Sequence, residues 1–278
     1  MVRLTMPALA PNVPIGRQVL AGLAEAVGID VALSADMKIA ITEACTNVVL
    51  HAYPGGHGPL EVTIAVLPGG IVVGVRDRGV DFNPLPGEPG EPTLKFGLSL
   101  IASLSDEFAI RAGASGTEVQ MLFAFGEDPM PEAAVAFAQT SQLAEGAAAP
   151  PDGIVLSLAP SAPFVGVLGR LLSLLAARAD FSIDRLSDAQ LVSDALASHA
   201  PRRVADGSVR LGVVESNGGF DIRVGPLVPG GGQALLADTE LPGVGPLLER
   251  LTDEIAFEPV GGAEPGAETL RLRMTRSN

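Results

Sequence analysis

The chain has 278 residues, 47% of them hydrophobic, and a formal net charge of −14 at neutral pH. This length is sufficient for two domains of ordinary size. The negative charge argues against a general nucleic-acid binder, which needs a positive surface to displace counterions, but it is compatible with a basic protein partner.

The cysteine content and the hydropathy pattern indicate the cell compartment. Cys45 is the one cysteine of the chain, so an internal disulfide framework is impossible and a reducing compartment is favoured. The N-terminus lacks the apolar run of a signal peptide, and Gly, Pro or charged residues interrupt every apolar run before it could span a membrane. We therefore expect a soluble cytoplasmic protein without membrane segments.

The first 75 residues predict two helices followed by a hairpin. After a short first strand, residues 13 to 27 have the apolar spacing of an amphipathic helix. Ser34 is a plausible N-cap for a second helix, which we expect to end near Leu50. Residues 62 to 66 alternate like a strand, and residues 71 to 75 form the returning strand after a Pro-Gly-Gly turn.

The following segment completes a first domain. Residues 82 to 92 are rich in Pro and Gly and are typical of a loop. A helix is predicted from Gly97 to Leu104, followed by strands near residues 108 to 110 and 118 to 122. Helices beside an antiparallel sheet predict an α+β sandwich.

The second half of the chain repeats this pattern. Residues 126 to 153 are rich in Ala, Glu and Pro and predict a linker between domains at 1–125 and 154–278. After the linker, a helical segment up to His199, a hairpin around Asn217-Gly218-Gly219 and a helix beginning at Leu247 follow at a nearly constant distance from their counterparts. This regularity predicts a duplicated domain.

Polar side chains share one face of the second helix. At helical periodicity Asp36, Glu43 and Asn47 fall in one narrow stripe, beside an apolar face that contains Met37 and Ile41. An amide oxygen can bind a Mg²⁺ ion that also bridges phosphate oxygens, and a carboxylate one turn away can accept a proton from a hydroxyl. The alternative is a solvated face with an incidental Asn.

Four further positions are candidates for ligand contacts. Asp77 ends the second hairpin strand and could accept a hydrogen bond from an exocyclic amine, and Gly79 allows close approach of the backbone. Gly97 is predicted to begin a helix, where free N–H groups can bind phosphate. Thr117 could face the same pocket. Taken singly, an ordinary turn, helix start and strand residue explain these positions equally well or better.

In combination, these motifs resemble the Bergerat-type (GHKL) ATPase fold, and specifically the anti-sigma factor serine/threonine-protein kinase family. The family order is E-x-x-x-N on a helix, D-x-G-x-G after a hairpin, a lid, a Gly-rich segment and G-T in a final strand. Here these motifs are Glu43 to Asn47, Asp77 to Asp81, Lys95 to Ser99, and Gly116-Thr117. The resemblance covers residues 1 to 125 and is weaker over residues 151 to 278. The implied architecture is α+β: tandem Bergerat-type sandwiches with helices packed on a mixed, mainly antiparallel sheet.

The resemblance also implies roles, cofactors and partners. Glu43 would be the general base for a substrate serine, and Asn47 would hold Mg²⁺ against the phosphates of ATP. Asp77 would read the adenine ring. Two groups of residues would support them: Gly79 and Thr117 at the base, and Gly97, Leu98 and Ser99 at the phosphates. The implied partners are a sigma factor, which the protein would sequester, and a STAS-domain anti-anti-sigma protein, which it would phosphorylate.

The chain departs from the family pattern at three positions, which leaves an alternative open. Asp81 replaces a second Gly of the first glycine motif, and Phe96 and Ser99 replace two glycines of the phosphate-binding segment. The alternative is a non-catalytic ATP-binding module whose nucleotide only switches partner binding. A sensor histidine kinase is disfavoured because no sensor or phosphoacceptor helix pair is visible in the sequence.

The second half lacks the equivalent ligands. If His199 is matched to His51, Leu191 and Ala195 occupy the Glu and Asn positions; if Asp188 is matched to Asp36, Ala195 and His199 occupy them. Gly225 or Pro226 stands for Asp77. We therefore predict a pseudo-domain, meaning a copy of the fold without its ligand residues. Because a fused copy is present at high effective concentration, it could pair within the chain and leave the protein largely monomeric.

Overall fold

A computed structural model describes residues 1–79, 92–113, 115–125, 153–158, 164–241, 245–260 and 266–276. The chain divides into two compact units, Met1–Pro151 and Asp152–Asn278. The predicted linker at 126–153 lies outside the described residues except for Gly153, as do Asp81 and the predicted loop at 82–91. Each unit is described separately.

The first unit is an antiparallel sheet with helices packed on it. Its strands lie in the order β1-β2-β3-β5-β4, and each neighbouring pair is antiparallel. This arrangement confirms the predicted α+β class. The elements are β1 (Val2–Pro7), α1 (Val13–Ala26), α2 (Val31–Asn47), β2 (Pro59–Leu67), β3 (Gly70–Asp77), α3 (Pro92–Leu104), β4 (Glu107–Gly113) and β5 (Gly116–Ala124).

The core of the first unit forms between α2 and the sheet. Helix α2 contacts α1 and α3 on either side and β3 and β5 beneath. Its predicted apolar face is buried, as are inward-pointing side chains of β2 and β3: Met37, Ile41, Ala44, Val48, Val62, Ile64 and Val73. Each fully buried aliphatic side chain of this size contributes about 1.5–3 kcal/mol relative to exposure. The polar stripe of α2 therefore lies beside a well-packed face.

Both ends of α2 differ from the prediction. Its N-cap is Asp30, whose carboxylate accepts hydrogen bonds from the N–H groups of Ala32 (2.8 Å) and Leu33 (3.4 Å). Ser34 was the wrong choice, because it lies one turn inside the helix and is buried. At the other end, the chain continues past Asn47 into a π-helical turn, Val48–Ala52, so the helical segment extends beyond Leu50.

Helix α3 begins at Pro92, five residues before the predicted start at Gly97. A proline suits the first turn of a helix because its missing N–H group would have no intrahelical partner there. Gly97 consequently lies inside the helix, where N–H groups donate to carbonyl oxygens four residues earlier. The predicted helix start at Gly97 is therefore wrong, and the role of Gly97 at the phosphates stays a prediction.

Over the residues described, the second unit repeats the order of elements of the first, with one additional helix and two additional short strands between its hairpin and its last helix. Its sheet order is β6-β7-β8-β12-β11, again antiparallel throughout. None of the helices in the described ranges of either unit is long and apolar enough to cross a bilayer. The elements are β6 (Gly153–Leu158), α4 (Phe164–Arg178), α5 (Ile183–His199), β7 (Val209–Ser216), β8 (Gly219–Leu227), α6 (Gly231–Asp238), β9 (Glu240–Leu241), β10 (Gly245–Pro246), α7 (Leu247–Leu251), β11 (Glu254–Pro259) and β12 (Glu268–Thr275).

Individual contacts recur at matching places in the two units. The carboxylate of Asp106 accepts a hydrogen bond from the N–H of Ala124 at 2.7 Å, and that of Asp253 accepts one from Thr275 at 2.7 Å. In each case the acidic residue lies just before the edge strand, β4 or β11, and its carboxylate accepts a hydrogen bond from the last residue of the neighbouring strand, β5 or β12. The shared order and these paired bonds support the hypothesis of a duplicated domain.

Candidate functional site

The first group of predicted site residues meets where α3 crosses α2. A Cβ atom placed on Gly97 would lie 3.3 Å from Oε2 of Glu43 and 3.5 Å from both Oδ1 and Nδ2 of Asn47. Glu43 and Asn47 lie one turn apart on α2, and both side chains are partly exposed. Because Gly97 has no side chain, a carboxylate and an amide stay open on one face of the helix.

The amide of Asn47 has an unused donor. Its Nδ2 is buried and has no hydrogen-bond partner among the described residues. A buried polar group left unpaired costs about 1–3 kcal/mol, so the position favours a ligand that satisfies it. Mg²⁺ usually takes one or two protein oxygens and completes its shell with phosphate oxygens and water, which fits a single amide oxygen here. No cluster of three His, Cys, Asp or Glu residues in the described ranges offers an all-protein metal site.

The second group surrounds the end of β3. Asp77 is 5% exposed, and its Oδ1 accepts hydrogen bonds from the N–H groups of Gly79 at 2.8 Å and Thr117 at 3.2 Å. Burial raises the pKa of the Asp77 carboxyl above its usual value, while these two N–H groups and Arg76 act in the opposite direction. One carboxylate oxygen is therefore fixed by the backbone, and within the described part of the chain Oδ2 has no partner.

Two glycines allow the segments around Asp77 to approach closely. A Cβ on Gly79 would overlap the carbonyl group of Ala52, the last residue of the π-helical turn. A Cβ on Gly116 would overlap the carbonyl oxygen of Asp77, and Gly116 has a φ of +111°, which favours glycine. Both glycines are therefore required by the local geometry.

Thr117 lies beside the Asp77 carboxylate at the start of β5. Its side chain is 7% exposed, and its Oγ1 is buried without a hydrogen-bond partner among the described residues. An unpaired buried hydroxyl next to a carboxylate with one free oxygen is suited to a polar, planar ligand. This placement fits the prediction of a pocket wall, although an ordinary strand residue was the stronger expectation from sequence.

The predicted phosphate segment is only partly brought into the site. Gly97 lies against Glu43 and Asn47, whereas Leu98 is half-buried and Ser99 is exposed on α3. Their backbone N–H groups lie inside the helix, like that of Gly97. The side chains of Lys95 and Phe96 lie outside the described residues. Roles for Leu98 and Ser99 at the phosphates therefore stay predictions.

The equivalent positions in the second unit hold different groups. Helices α2 and α5 have the same length, so matching them end to end places Ala195 and His199 at the Glu43 and Asn47 positions. This favours the second of the two alternatives drawn from the sequence. If the two hairpin turns are aligned, Pro226 corresponds to Asp77. No carboxylate–amide pair results.

Glu268 of the second unit was not singled out by the sequence. Ala124 and Thr275 donate the equivalent hydrogen bonds to Asp106 and Asp253 in the two units. If these two residues are aligned, Thr117 of β5 corresponds to Glu268 of β12. The Glu268 carboxylate accepts a hydrogen bond from the N–H of Gly232 at 2.7 Å, in the first turn of α6. An acidic side chain therefore occupies the helix N-terminus, a place where an anionic ligand can otherwise bind.

Comparison with known proteins gives consistent matches for the first unit. Residues 6–123 match the family model of the histidine kinase-like ATPase domain. Serine-protein kinase RsbW of Bacillus cereus strain AH820 is 36% identical over 121 residues, which cover 39% of this chain and 76% of that protein. RsbW of Bacillus thuringiensis strain Al Hakam shows the same identity and coverage.

Solved structures show a more limited match. The crystal structure of the RsbU and RsbW domains of Rv1364c from Mycobacterium tuberculosis is 25% identical to this chain, with a TM-score of 0.35. The match covers 44% of this chain and 32% of that one, so it spans about a third of the larger protein.

Proposed function

Because the chain belongs to the family of RsbW-type serine-protein kinases with a histidine kinase-like ATPase domain, we propose that residues 1–125 bind Mg-ATP and transfer its γ-phosphate to a serine of a partner protein. The observation that carries this proposal is the position of Gly97 against both Glu43 and Asn47. It leaves a base and a metal-binding amide open on the same face of α2.

The proposed chemistry needs few protein groups, because phosphoryl transfer depends mainly on positioning and on neutralising charge. Glu43 accepts the proton of the incoming serine hydroxyl. Asn47 offers its amide oxygen to the metal and its unpaired Nδ2 to a phosphate oxygen. When bound, Mg²⁺ supplies positive charge that offsets the charge of the phosphates.

At the other end of the site, Asp77 selects the base. Its Oδ1 is held by the N–H groups of Gly79 and Thr117, so Oδ2 is free to accept a hydrogen bond from the 6-amino group of adenine. The hydroxyl of Thr117 supplies a further polar contact. A base with a carbonyl at the same position would place two acceptors together.

The proposed output is regulation of transcription in the cytoplasm. The protein sequesters a sigma factor and phosphorylates a STAS-domain anti-anti-sigma protein. The family relationship supports this proposal, since the similar Bacillus proteins are named serine-protein kinases. The net charge of −14 suits contact with a basic surface on a partner.

Two variants separate binding from catalysis. Glu43→Gln keeps the size and polarity of the side chain but cannot take a proton, so it should bind Mg-ATP normally and lose about 10²- to 10⁴-fold in transfer rate. Asn47→Ala should weaken binding of Mg-ATP itself. Calorimetry measures affinity, and single-turnover assays with labelled ATP measure transfer. Full transfer activity in Glu43→Gln would show that Glu43 only shapes the pocket.

We also propose that each chain binds one nucleotide. Ala195, His199 and Pro226 stand where the first unit has its ligands, and Glu268 occupies the N-terminus of α6. Equilibrium dialysis should give one nucleotide per chain, and light scattering should give the mass of a monomer. Two nucleotides per chain would refute the pseudo-domain hypothesis, and a stable dimer formed through the first domain would refute pairing within the chain.

A further inference from the structure

We propose that Tyr53 is a positioning residue for base recognition, acting through the peptide that joins Asp77 to Gly79. This inference rests on the proposed nucleotide site and adds a determinant of its specificity. The side chain belongs to none of the predicted ligand residues. It follows directly after the π-helical turn that ends the α2 segment.

The hydroxyl of Tyr53 connects three parts of the first unit. It accepts a hydrogen bond from the N–H of Arg78 at 2.8 Å and donates one to the carbonyl oxygen of Pro59 at 2.7 Å. Pro59 begins β2, and Arg78 follows the last residue of β3. The two strands are paired at this end, where Leu60 lies opposite Asp77. The hydroxyl therefore fixes the chain leaving β3 relative to the end of the α2 segment.

The ring of Tyr53 is fixed as firmly as its hydroxyl. It packs against the backbone of Gly58 so closely that a Cβ there would overlap ring atoms. Ala52, the preceding residue, has its carbonyl group against Gly79. The segment 52–53 thus holds Gly79 through backbone contact and Arg78 through a hydrogen bond.

Asp77 is held between these two contacts. The N–H of Gly79 donates to Oδ1 of Asp77, and the peptide of Arg78 lies between the two residues. Movement of the Arg78 peptide would rotate the Gly79 N–H away from the carboxylate. We infer that the Tyr53 hydroxyl sets the direction in which Oδ2 of Asp77 faces a base.

An ordinary stabilising role would have a different consequence. A tyrosine that only strengthened the fold would, on removal of its hydroxyl, lower the affinity for all nucleotides together. A positioning role changes the preference between bases. Adenosine and inosine triphosphates test this difference, because they share ribose and phosphates and differ in whether the base carries an amino group or a carbonyl where Asp77 would bind.

The test variant is Tyr53→Phe, which removes only the hydroxyl. Wild-type protein should bind Mg-ATP more tightly than Mg-ITP, and the variant should lose about tenfold of that preference, as expected for one hydrogen bond. The matched control is Thr252→Val in the second unit. It removes a buried hydroxyl that donates to Leu248 at 2.8 Å, far along the chain from the site, and should leave the preference unchanged.

The chain provides a second measurement that needs no variant. Tyr53 is its one tyrosine, and tryptophan is absent, so intrinsic fluorescence reports on this side chain alone. Saturation with Mg-ATP should change the emission, after correction for absorption by the nucleotide. Unchanged emission would contradict the inference even if Tyr53→Phe failed to fold.

The outcomes distinguish the inference from the proposed function. If the wild type prefers ATP and Tyr53→Phe keeps the full preference, the positioning role is wrong while the nucleotide site stands. If the wild type binds neither nucleotide, the proposed site is wrong and the inference falls with it. If Thr252→Val lowers the preference for ATP by the same factor as Tyr53→Phe, the effect of Tyr53→Phe reflects general stability. That result would overturn the inference.

Discussion

The replacement Asp77→Asn provides a sharp test of the site because it alters one atom and leaves the local hydrogen bonds intact. The amide oxygen of Asn can accept the same bonds from Gly79 and Thr117 that Oδ1 of Asp77 accepts. The free Oδ2 becomes an NH₂ group. A donor then faces the amino group of adenine, which is also a donor.

The magnitude follows from the bond that is lost. A hydrogen bond to a charged group contributes about 1.5–3 kcal/mol, which corresponds to a loss of about 10- to 100-fold in ATP affinity. Stability should respond in the other direction. Burial raises the pKa of Asp77 in the folded protein. The protonated Asp77 carboxyl therefore stabilises the folded protein, and this contribution is lost as the pH rises through the folded pKa. At neutral pH the buried, ionised carboxylate costs stability, and a neutral Asn relieves that cost.

Calorimetry with Mg-ATP and Mg-ITP, together with thermal unfolding, measures both effects. We expect weaker ATP binding, a relative gain for ITP, whose carbonyl can accept from the new NH₂ group, and a melting temperature that is unchanged or higher. In the wild type, the preference for ATP should decline as acid protonates Asp77. An ATP affinity within about threefold of wild type would correspond to less than half of the expected loss in binding free energy, and it would refute the assignment of Asp77.

Two further predictions concern α3 and α2. Gly97→Ala should keep stability or raise it by about 0.5–1 kcal/mol, as Ala does inside helices. It should nevertheless weaken nucleotide binding, because the new Cβ would lie 3.3 Å from Oε2 of Glu43. Gly169→Ala in α4 is the matched control and should leave binding unchanged. Burial raises the pKa of the Cys45 thiol to about 12, so a thiol reagent should label it only when α2 opens. Since that pKa is raised by folding, the free energy of unfolding should fall as alkaline pH approaches this value, and Cys45→Ala should remove that loss.

The sequence was informative where chemistry and periodicity coincide. The polar stripe of α2 and its apolar neighbours were predicted from helical spacing alone, and the structure places Glu43 and Asn47 together against Gly97. Asp77 was identified as a strand-ending carboxylate, and it is one. In both cases a local pattern was enough to select the residues, because Glu43 and Asn47 lie on one helix and Asp77 ends its strand. Their contacts with Gly97 and Thr117 come from distant segments.

The failures have local physical causes. Asp30 and Ser34 are both good N-cap residues, and only the packing of the first turn shows that Asp30 is used. A proline is compatible with a loop and with a helix start, so the start of α3 at Pro92 was missed. The π-helical turn has no comparable sequence pattern.

Long-range contacts were beyond the sequence altogether. The hydrogen bond from the N–H of Arg78 to the hydroxyl of Tyr53 joins residues 25 positions apart, and the one from the N–H of Gly232 to Glu268 joins residues 36 apart. The residue types at these four positions do not indicate which residues are hydrogen-bonded to each other. The role of Glu268 in the second unit became visible only when the paired bonds of Asp106 and Asp253 aligned the two units.

The most direct measurement of the central claim is transfer of the γ-phosphate to protein. The full chain is incubated with Mg²⁺, γ-labelled ATP and a candidate STAS-domain protein, and the modified residue is identified by mass spectrometry. We predict stoichiometric labelling of one serine, abolished by Asn47→Ala and slowed strongly by Glu43→Gln. Tight ATP binding with no labelled serine on any STAS protein would contradict kinase function and favour a nucleotide that only switches partner binding.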